Sequence, residues 1–181
     1  RISSQLMMKK EDLLQALNNE QKCEELGFNK NTIVAMFIPN TYEFYWDVSR
    51  DNFLDRMKKE YDGFWTEARL AKAQSLNLTP VEVSTLAAIV EEECTFSDEY
   101  PMVAGLYLNR LRRGQLLQAD PTVKYAVGDF GLRRILHKHL LTPSPYNTYQ
   151  NVGLPPGPIR IPSIKGIDAV LNYKTHDYLY M

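Results

Sequence analysis

Hydrophobic residues recur at helical spacing over most of this 181-residue chain. The spacing predicts helices over residues 8–26, with Asn18 and Asn19 as a candidate break, and over residues 49–76, about 101–113 and about 163–172. Residues 118–122 are instead rich in turn-forming side chains. Helices therefore make up the larger part of the predicted secondary structure.

Three short stretches predict extended chain. Residues 32–38 form an apolar run that is bounded by Asn31 and Pro39, and the run at residues 178–181 also resembles a strand. Aromatic residues alternate with other residues in the third stretch, at Tyr42, Phe44 and Trp46. The pattern therefore predicts an α+β fold with a small β-sheet.

The clearest helix start lies at Thr79. Residues 79–82 combine a capping hydroxyl, a proline at the first helical position and a glutamate three residues after the cap, which together form a capping box. The helix that follows has apolar residues along one stripe, at Val83, Leu86, Ala87, Val90 and Cys94. It carries three consecutive glutamates, residues 91–93, near its end.

Composition excludes several classes of protein. A hydrophobic fraction of 44% and a charged fraction of 24% are typical of a globular chain and exclude a disordered one. The net charge of −1 argues against a nucleic-acid binder, and no apolar run reaches the roughly 18 residues of a membrane span. Cys23 and Cys94 are far apart, and His137 and His139 fit no common zinc motif, so we expect neither a metal nor a cofactor.

The consecutive glutamates are the first candidates for chemistry. At about 100° per residue, Glu92 points away from the apolar stripe, whereas Glu91 and Glu93 flank the stripe on opposite sides. Glu93 shares its side with Leu86 and Ile89, so we expect desolvation to act more strongly on Glu93 than on Glu91. Desolvation raises the pKa of a carboxyl group and makes it a better general acid. The simpler alternative is that all three are solvated charges at a helix end.

Glycosidases usually act through a pair of carboxylates that face one glycosidic bond. Glu91 and Glu93 diverge by about 160° around the helix, so they cannot form such a pair. Asp120 would have to be the second carboxylate, or the enzyme uses none because a sugar hydroxyl of the substrate acts as the nucleophile.

A long loop over residues 142–163 favours a functional surface. It contains six prolines and two glycines, which make it stiff. Tyrosines lie close in sequence to amide and hydroxyl side chains in and before this loop, namely at Tyr125, Tyr146, Tyr149, Gln118, Asn147 and Thr148. Such combinations bind sugars, although tyrosines that cover the edge of a core are an equally good interpretation.

Five motifs in the second part of the chain resemble the YceG-like family of endolytic murein transglycosylases, the MltG type. They occur in the family's order between about residues 76 and 181, at Leu86–Glu93, Val103–Leu111, Leu117–Val123 with Tyr125, Thr142–Tyr149 and Gly153–Ile159. The first 75 residues match more loosely, chiefly through Phe37–Tyr42, where Asn40 replaces the usual acid.

The resemblance implies an enzyme that cuts the bond between N-acetylmuramic acid and N-acetylglucosamine in nascent peptidoglycan strands. It would leave 1,6-anhydro ends and terminate strand elongation, with Glu93 as the catalytic residue and Glu91 as the secondary candidate on the same helix. The residues that would line the glycan cleft are Gln118, Asp120, Thr122, Tyr125, Tyr146, Asn147 and Thr148. The expected partners are peptidoglycan strands and peptidoglycan synthases, with no nucleic acid.

The resemblance also implies an organisation. We expect residues 1–75 to be the N-terminal helix and strand portion, and residues 76–181 to be a lysozyme-like helical catalytic core whose C-terminal part is truncated. The parent protein would be anchored in the cytoplasmic membrane by a segment outside these residues, with its catalytic domain on the outer side. Two alternatives stay open, a hydrolytic muramidase that uses Asp120 and a glycan-binding or scaffold domain without activity.

Overall fold

The computed structural model describes residues 4–180, and this part of the chain is helical without any β-strand. Its elements, in chain order, are α1 (Lys10–Leu17), α2 (Glu20–Glu25), a 3-10 helix (Ile33–Met36), α3 (Arg50–Phe64), α4 (Glu67–Ser75), α5 (Pro80–Glu93), α6 (Tyr100–Arg112), α7 (Asp120–Val127), α8 (His137–Leu140) and α9 (Ile164–Leu171). No helix among the described residues is long and apolar enough to cross a bilayer.

The predicted helices are present, with interruptions at two capping residues. The run over residues 8–26 is divided by Asn19, whose side chain accepts a hydrogen bond from the Lys22 amide and begins α2. The run over residues 49–76 is divided in the same way by Thr66, which caps α4. The turn predicted at residues 118–122 is instead the start of α7, whose first turn contains Asp120 and Pro121.

The predicted β-sheet is wrong for the described residues. Within residues 32–38 the chain forms the 3-10 helix, because the Asn29 side chain accepts hydrogen bonds from the amides of Asn31 and Thr32 and turns the backbone. Ile33 and Met36 are then buried against α3 and α5. The apolar run therefore reflects burial between helices and not pairing with a strand.

The aromatic alternation and the C-terminal run also lack a partner strand. The Phe44 ring packs 5.1 Å from the Phe53 ring of α3, whereas Trp46 remains exposed. Near the C-terminus, backbone carbonyls bond to a side chain of α6 and not to a neighbouring strand, since Asn109 donates to the carbonyls of His176 and Tyr178. Residue 181, the last of the predicted strand, lies outside the described residues.

Helix α5 is the central element of the fold. Its capping box is present, since the Thr79 hydroxyl accepts from the Glu82 amide at 3.2 Å and Glu82 accepts from the Thr79 amide at 2.7 Å. Helices α6, α7 and α9 pack around it, so residues 83–91 are buried on every side and not along one stripe. A single hydrophobic core extends from Met8 to Leu171 and holds the end of α5 in place.

Candidate functional site

Glu93 is the last residue of α5, and side chains of α6 and α7 lie around its carboxyl group. Its side chain is open to solvent, yet Tyr107 and Arg110 of α6 and Asp120 of α7 lie close to its carboxyl group. Desolvation by this surrounding protein is the largest cause that raises the pKa of Glu93, and the negative charge of Asp120 raises it further. A hydrogen bond from Tyr107 and the positive charge of Arg110 act in the opposite direction.

Desolvation was predicted to act more strongly on Glu93 than on Glu91, and it is the largest cause of the raised pKa of Glu93, yet by solvent exposure Glu91 is the more enclosed of the two. Glu91 is the buried one, with only 4% of its side chain exposed, because the segment before α9 and α9 itself cover its side of α5. The position around a single helix could not reveal this packing. The pKa of Glu93 is nevertheless raised, chiefly because the neighbouring protein desolvates its carboxyl group although the residue is exposed.

Glu91 ties the long loop to α5. One carboxylate oxygen of Glu91 accepts hydrogen bonds from the Ser163 amide, at 2.8 Å, and from the Ser163 hydroxyl. The same hydroxyl accepts from the Gly166 amide and caps α9. The other oxygen of Glu91 lies 3.8 Å from Nε of Arg160. Glu91 is therefore fully engaged inside the protein and holds α9 and the loop against the helix that carries Glu93.

Asp120 faces Glu93 from the first turn of α7. Its carboxylate accepts a hydrogen bond from the Tyr149 hydroxyl at 2.7 Å. Burial and this bond to Asp120 raise the pKa of Tyr149, so the hydroxyl keeps its proton and continues to donate. The structure therefore places a second carboxylate near Glu93 and fixes it through the long loop.

Three of the predicted cleft residues are buried within the protein. The hydroxyls of Thr122 and Thr148 bond each other at 2.8 Å, and the Thr148 hydroxyl also accepts from the Ala119 amide. The Asn147 side chain donates to the carbonyls of Leu140 and Thr142. These bonds fasten the loop over residues 142–151 to the start of α7, beside Asp120.

The other predicted cleft residues are at least partly accessible. Gln118 is exposed, and its backbone amide donates to the Thr148 carbonyl at 3.1 Å. The rings of Tyr125 and Tyr146 lie 4.7 Å apart, and burial raises the pKa of Tyr146 to about 12. Phe130 extends this aromatic surface, with ring centroids 6.2 Å from Tyr125. Flat apolar faces beside amide and carboxylate groups are suited to a carbohydrate.

Tyr107 and Arg110 are two further residues near Glu93 that were not among the predicted site residues. Both are almost fully buried in α6, and the Arg110 guanidinium donates to the carbonyls of Leu117 and Leu179. The sequence does place a tyrosine and an arginine three positions apart, so they share one otherwise apolar face of the predicted helix. Buried polar groups at that spacing mark the side of α6 that faces Glu93.

No group of three or more His, Cys, Asp or Glu side chains within residues 4–180 is arranged to hold a metal ion. The site itself offers a carboxyl group with a raised pKa at the end of α5, with a second carboxylate near it. This is an arrangement suited to general acid catalysis in a cleft.

The chain belongs to the YceG-like family, whose profile matches residues 2–181. This match confirms the resemblance seen in the five motifs. A relative from Bacillus subtilis, named endolytic murein transglycosylase, is 35% identical over 157 residues, which cover 84% of this chain and 43% of the relative. A relative of the same name from Streptococcus pneumoniae is 33% identical over 146 residues, covering 78% of this chain and 26% of that protein.

A crystal structure of a yceG-like protein from Listeria monocytogenes has the same fold. Its TM-score to this chain is 0.83 at 30% identity, over 99% of this chain and 63% of that one. The chain spans less than half the length of the two curated relatives.

Proposed function

We propose that this protein is an endolytic lytic transglycosylase of murein, which cleaves the bond between N-acetylmuramic acid and N-acetylglucosamine within nascent glycan strands. The observation that carries the proposal is the raised pKa of Glu93, an exposed residue whose carboxyl group lies near Tyr107, Arg110 and Asp120. Membership in a family whose relatives are named endolytic murein transglycosylases supports it. In this proposal residues 76–181 are the catalytic portion, and the parent protein acts in the cell envelope beside a peptidoglycan synthase.

Glu93 acts first as an acid and then as a base. Its protonated carboxyl group donates a proton to the glycosidic oxygen while the bond from that oxygen to the anomeric carbon breaks. The 6-hydroxyl oxygen of the same muramyl residue then bonds to the anomeric carbon and gives its proton to the Glu93 carboxylate. The products are a free sugar hydroxyl and a 1,6-anhydro end, and Glu93 is protonated again for the next turnover.

The accessible side chains supply the glycan contacts in this proposal. Gln118 and Asp120 offer polar partners, and the adjacent rings of Tyr125 and Tyr146 offer apolar faces. The buried groups of Thr122, Asn147 and Thr148 act by holding these contacts in position.

The alternative reaction is that of a hydrolytic muramidase, which the names of the relatives do not favour. Asp120, whose charge acts on the pKa of Glu93, would then be the second carboxylate. The products distinguish the two reactions, because hydrolysis adds water at the new end and the transglycosylase reaction does not. Mass spectrometry of digested glycan strands is therefore the test of the proposed function.

The pH dependence of cleavage should depend on Asp120. Because a raised pKa keeps Glu93 protonated to higher pH, kcat/KM should fall on the basic side at a pH above the usual range of a glutamate. The Asp120→Asn variant removes a charge that disfavours ionised Glu93, so its basic limb should move to lower pH. The measurement is kcat/KM against pH, with Asp55→Asn on the exposed side of α3 as the matched control. A basic limb that stays in place in Asp120→Asn would contradict this role.

A further inference from the structure

A cavity of about 510 Å³ lies beside Glu92, the chain neighbour of the proposed catalytic Glu93, and has Tyr125 in common with the proposed glycan contacts. Glu92 and Pro121, the chain neighbours of Glu93 and Asp120, line the side towards the site. The size lies within the range of cavities that bind small molecules or segments of larger ligands. A strand held at Glu93 would therefore extend over this cavity.

The cavity contains one cation without an acidic partner. Arg160 on its wall is neutralised by Glu92, with Nη1 and the carboxylate oxygen 2.5 Å apart. Lys124, which projects from α7, is half-buried, and within residues 4–180 its ammonium group has neither an ion pair nor a hydrogen bond. The three charged groups leave one net positive charge in the cavity. A half-buried ammonium group without a counterion is a ready partner for a carboxylate of a ligand.

The remaining walls are apolar. Pro121, Tyr125 and Ile159 line the cavity, and the Phe130 side chain is 66% exposed at its edge. An exposed phenylalanine beside an unpaired cation suits a ligand that has both a carboxylate and apolar atoms. A neutral sugar has no group that would use the Lys124 charge.

We propose that this cavity receives the carboxylate-bearing peptide stem of the murein strand, with Lys124 as the partner of a stem carboxylate. The inference rests on the proposed function, which supplies murein as the ligand. Murein combines the required chemistry, since short peptides with free carboxylates and apolar side chains branch from its muramyl residues. The cavity would thus select strands that still carry their peptides over strands that have lost them.

The test compares the binding of two soluble probes by calorimetry. One is the N-acetylglucosaminyl-N-acetylmuramyl disaccharide with a tetrapeptide stem, and the other is the same disaccharide without the peptide. The peptide-free probe has a free lactyl carboxylate, so it controls for an anion that lies directly on the sugar. The wild-type chain should bind the peptide-bearing probe about fivefold tighter, the effect expected of one partly exposed ion pair.

Variants assign that preference to Lys124. Lys124→Gln should bind the two probes equally, and Lys124→Arg should keep the preference because it keeps the charge. Lys59→Gln, the same change at an exposed position of α3, should also keep it. Equal binding of the probes by the wild-type chain, or a full preference in Lys124→Gln, would overturn the assignment.

The preference between the two probes is measured by binding and does not depend on cleavage. If the chain prefers the peptide-bearing probe but forms no anhydro ends, the cavity assignment holds and the proposed function is wrong. If the chain forms anhydro ends but shows no such preference, only the cavity assignment is wrong. If the chain binds neither probe, the cavity assignment is also wrong.

Discussion

Replacement of Glu93 by glutamine is expected to lower the rate of glycan cleavage by about a thousandfold or more, because one residue supplies both acid and base. The amide has nearly the same shape as the carboxyl group, but it can neither protonate the glycosidic oxygen nor accept the proton of the 6-hydroxyl. The rate is measured as the release of new strand ends from nascent glycan under single-turnover conditions.

Folding should be unaffected by the same change. The Glu93 side chain is exposed, so the free energy of unfolding should stay within about 0.5 kcal/mol of the wild-type value. The matched control is Glu99→Gln, the same substitution at an exposed residue just before α6, which should retain the wild-type rate. Cleavage by Glu93→Gln at the wild-type rate would show that Glu93 is not the acid.

Replacement of Glu91 by alanine is expected to lower the free energy of unfolding by about 3 kcal/mol. The change removes the acceptor of the Ser163 amide and hydroxyl, and it leaves Arg160 with one carboxylate, Glu92, in place of two. Chemical denaturation measures the loss. Glu91→Gln should cost less, because the amide oxygen can still accept from Ser163. An alanine variant as stable as the wild type would show that this carboxylate does not hold the loop.

Gly166 offers an independent test of the same contact. A methyl group at this position would lie 2.2 Å from a carboxylate oxygen of Glu91 and 2.8 Å from its carboxyl carbon. Gly166→Ala should therefore destabilise the wild-type chain, because the buried carboxylate would have to leave its bonds with Ser163. In the Glu91→Ala background the same substitution should cost much less, and the double-mutant cycle measures the difference.

Local signals in the sequence were sufficient for most helices. The start of α5 could be predicted because a capping box involves only residues 79–82 and needs no tertiary context. Asn19 and Thr66 divided the longer helical runs for the same local reason. The β-sheet was wrong because an apolar run such as residues 32–38 indicates burial but does not say whether a strand or a helix covers it.

The arrangement of the site could not be predicted in full, because it depends on contacts between distant parts of the chain. The burial of Glu91 comes from Ser163, 72 positions later, and no helical periodicity contains that information. Tyr107 and Arg110 reach Glu93 only because α6 packs against α5. The motifs brought Glu93, Asp120 and the loop residues into one prediction, but the structure was needed to separate accessible groups from buried ones.

The mass of the new strand ends tests the central proposal most directly. Nascent glycan is digested side by side with the wild-type chain and with Glu93→Gln, and the ends are analysed by mass spectrometry. The proposal predicts that the wild-type chain releases ends that are lighter by one water molecule than hydrolytic ends and that resist reduction by borohydride, and that Glu93→Gln releases almost none. Reducible ends with the full hydrolytic mass, or strands that are bound but never cut, would contradict it.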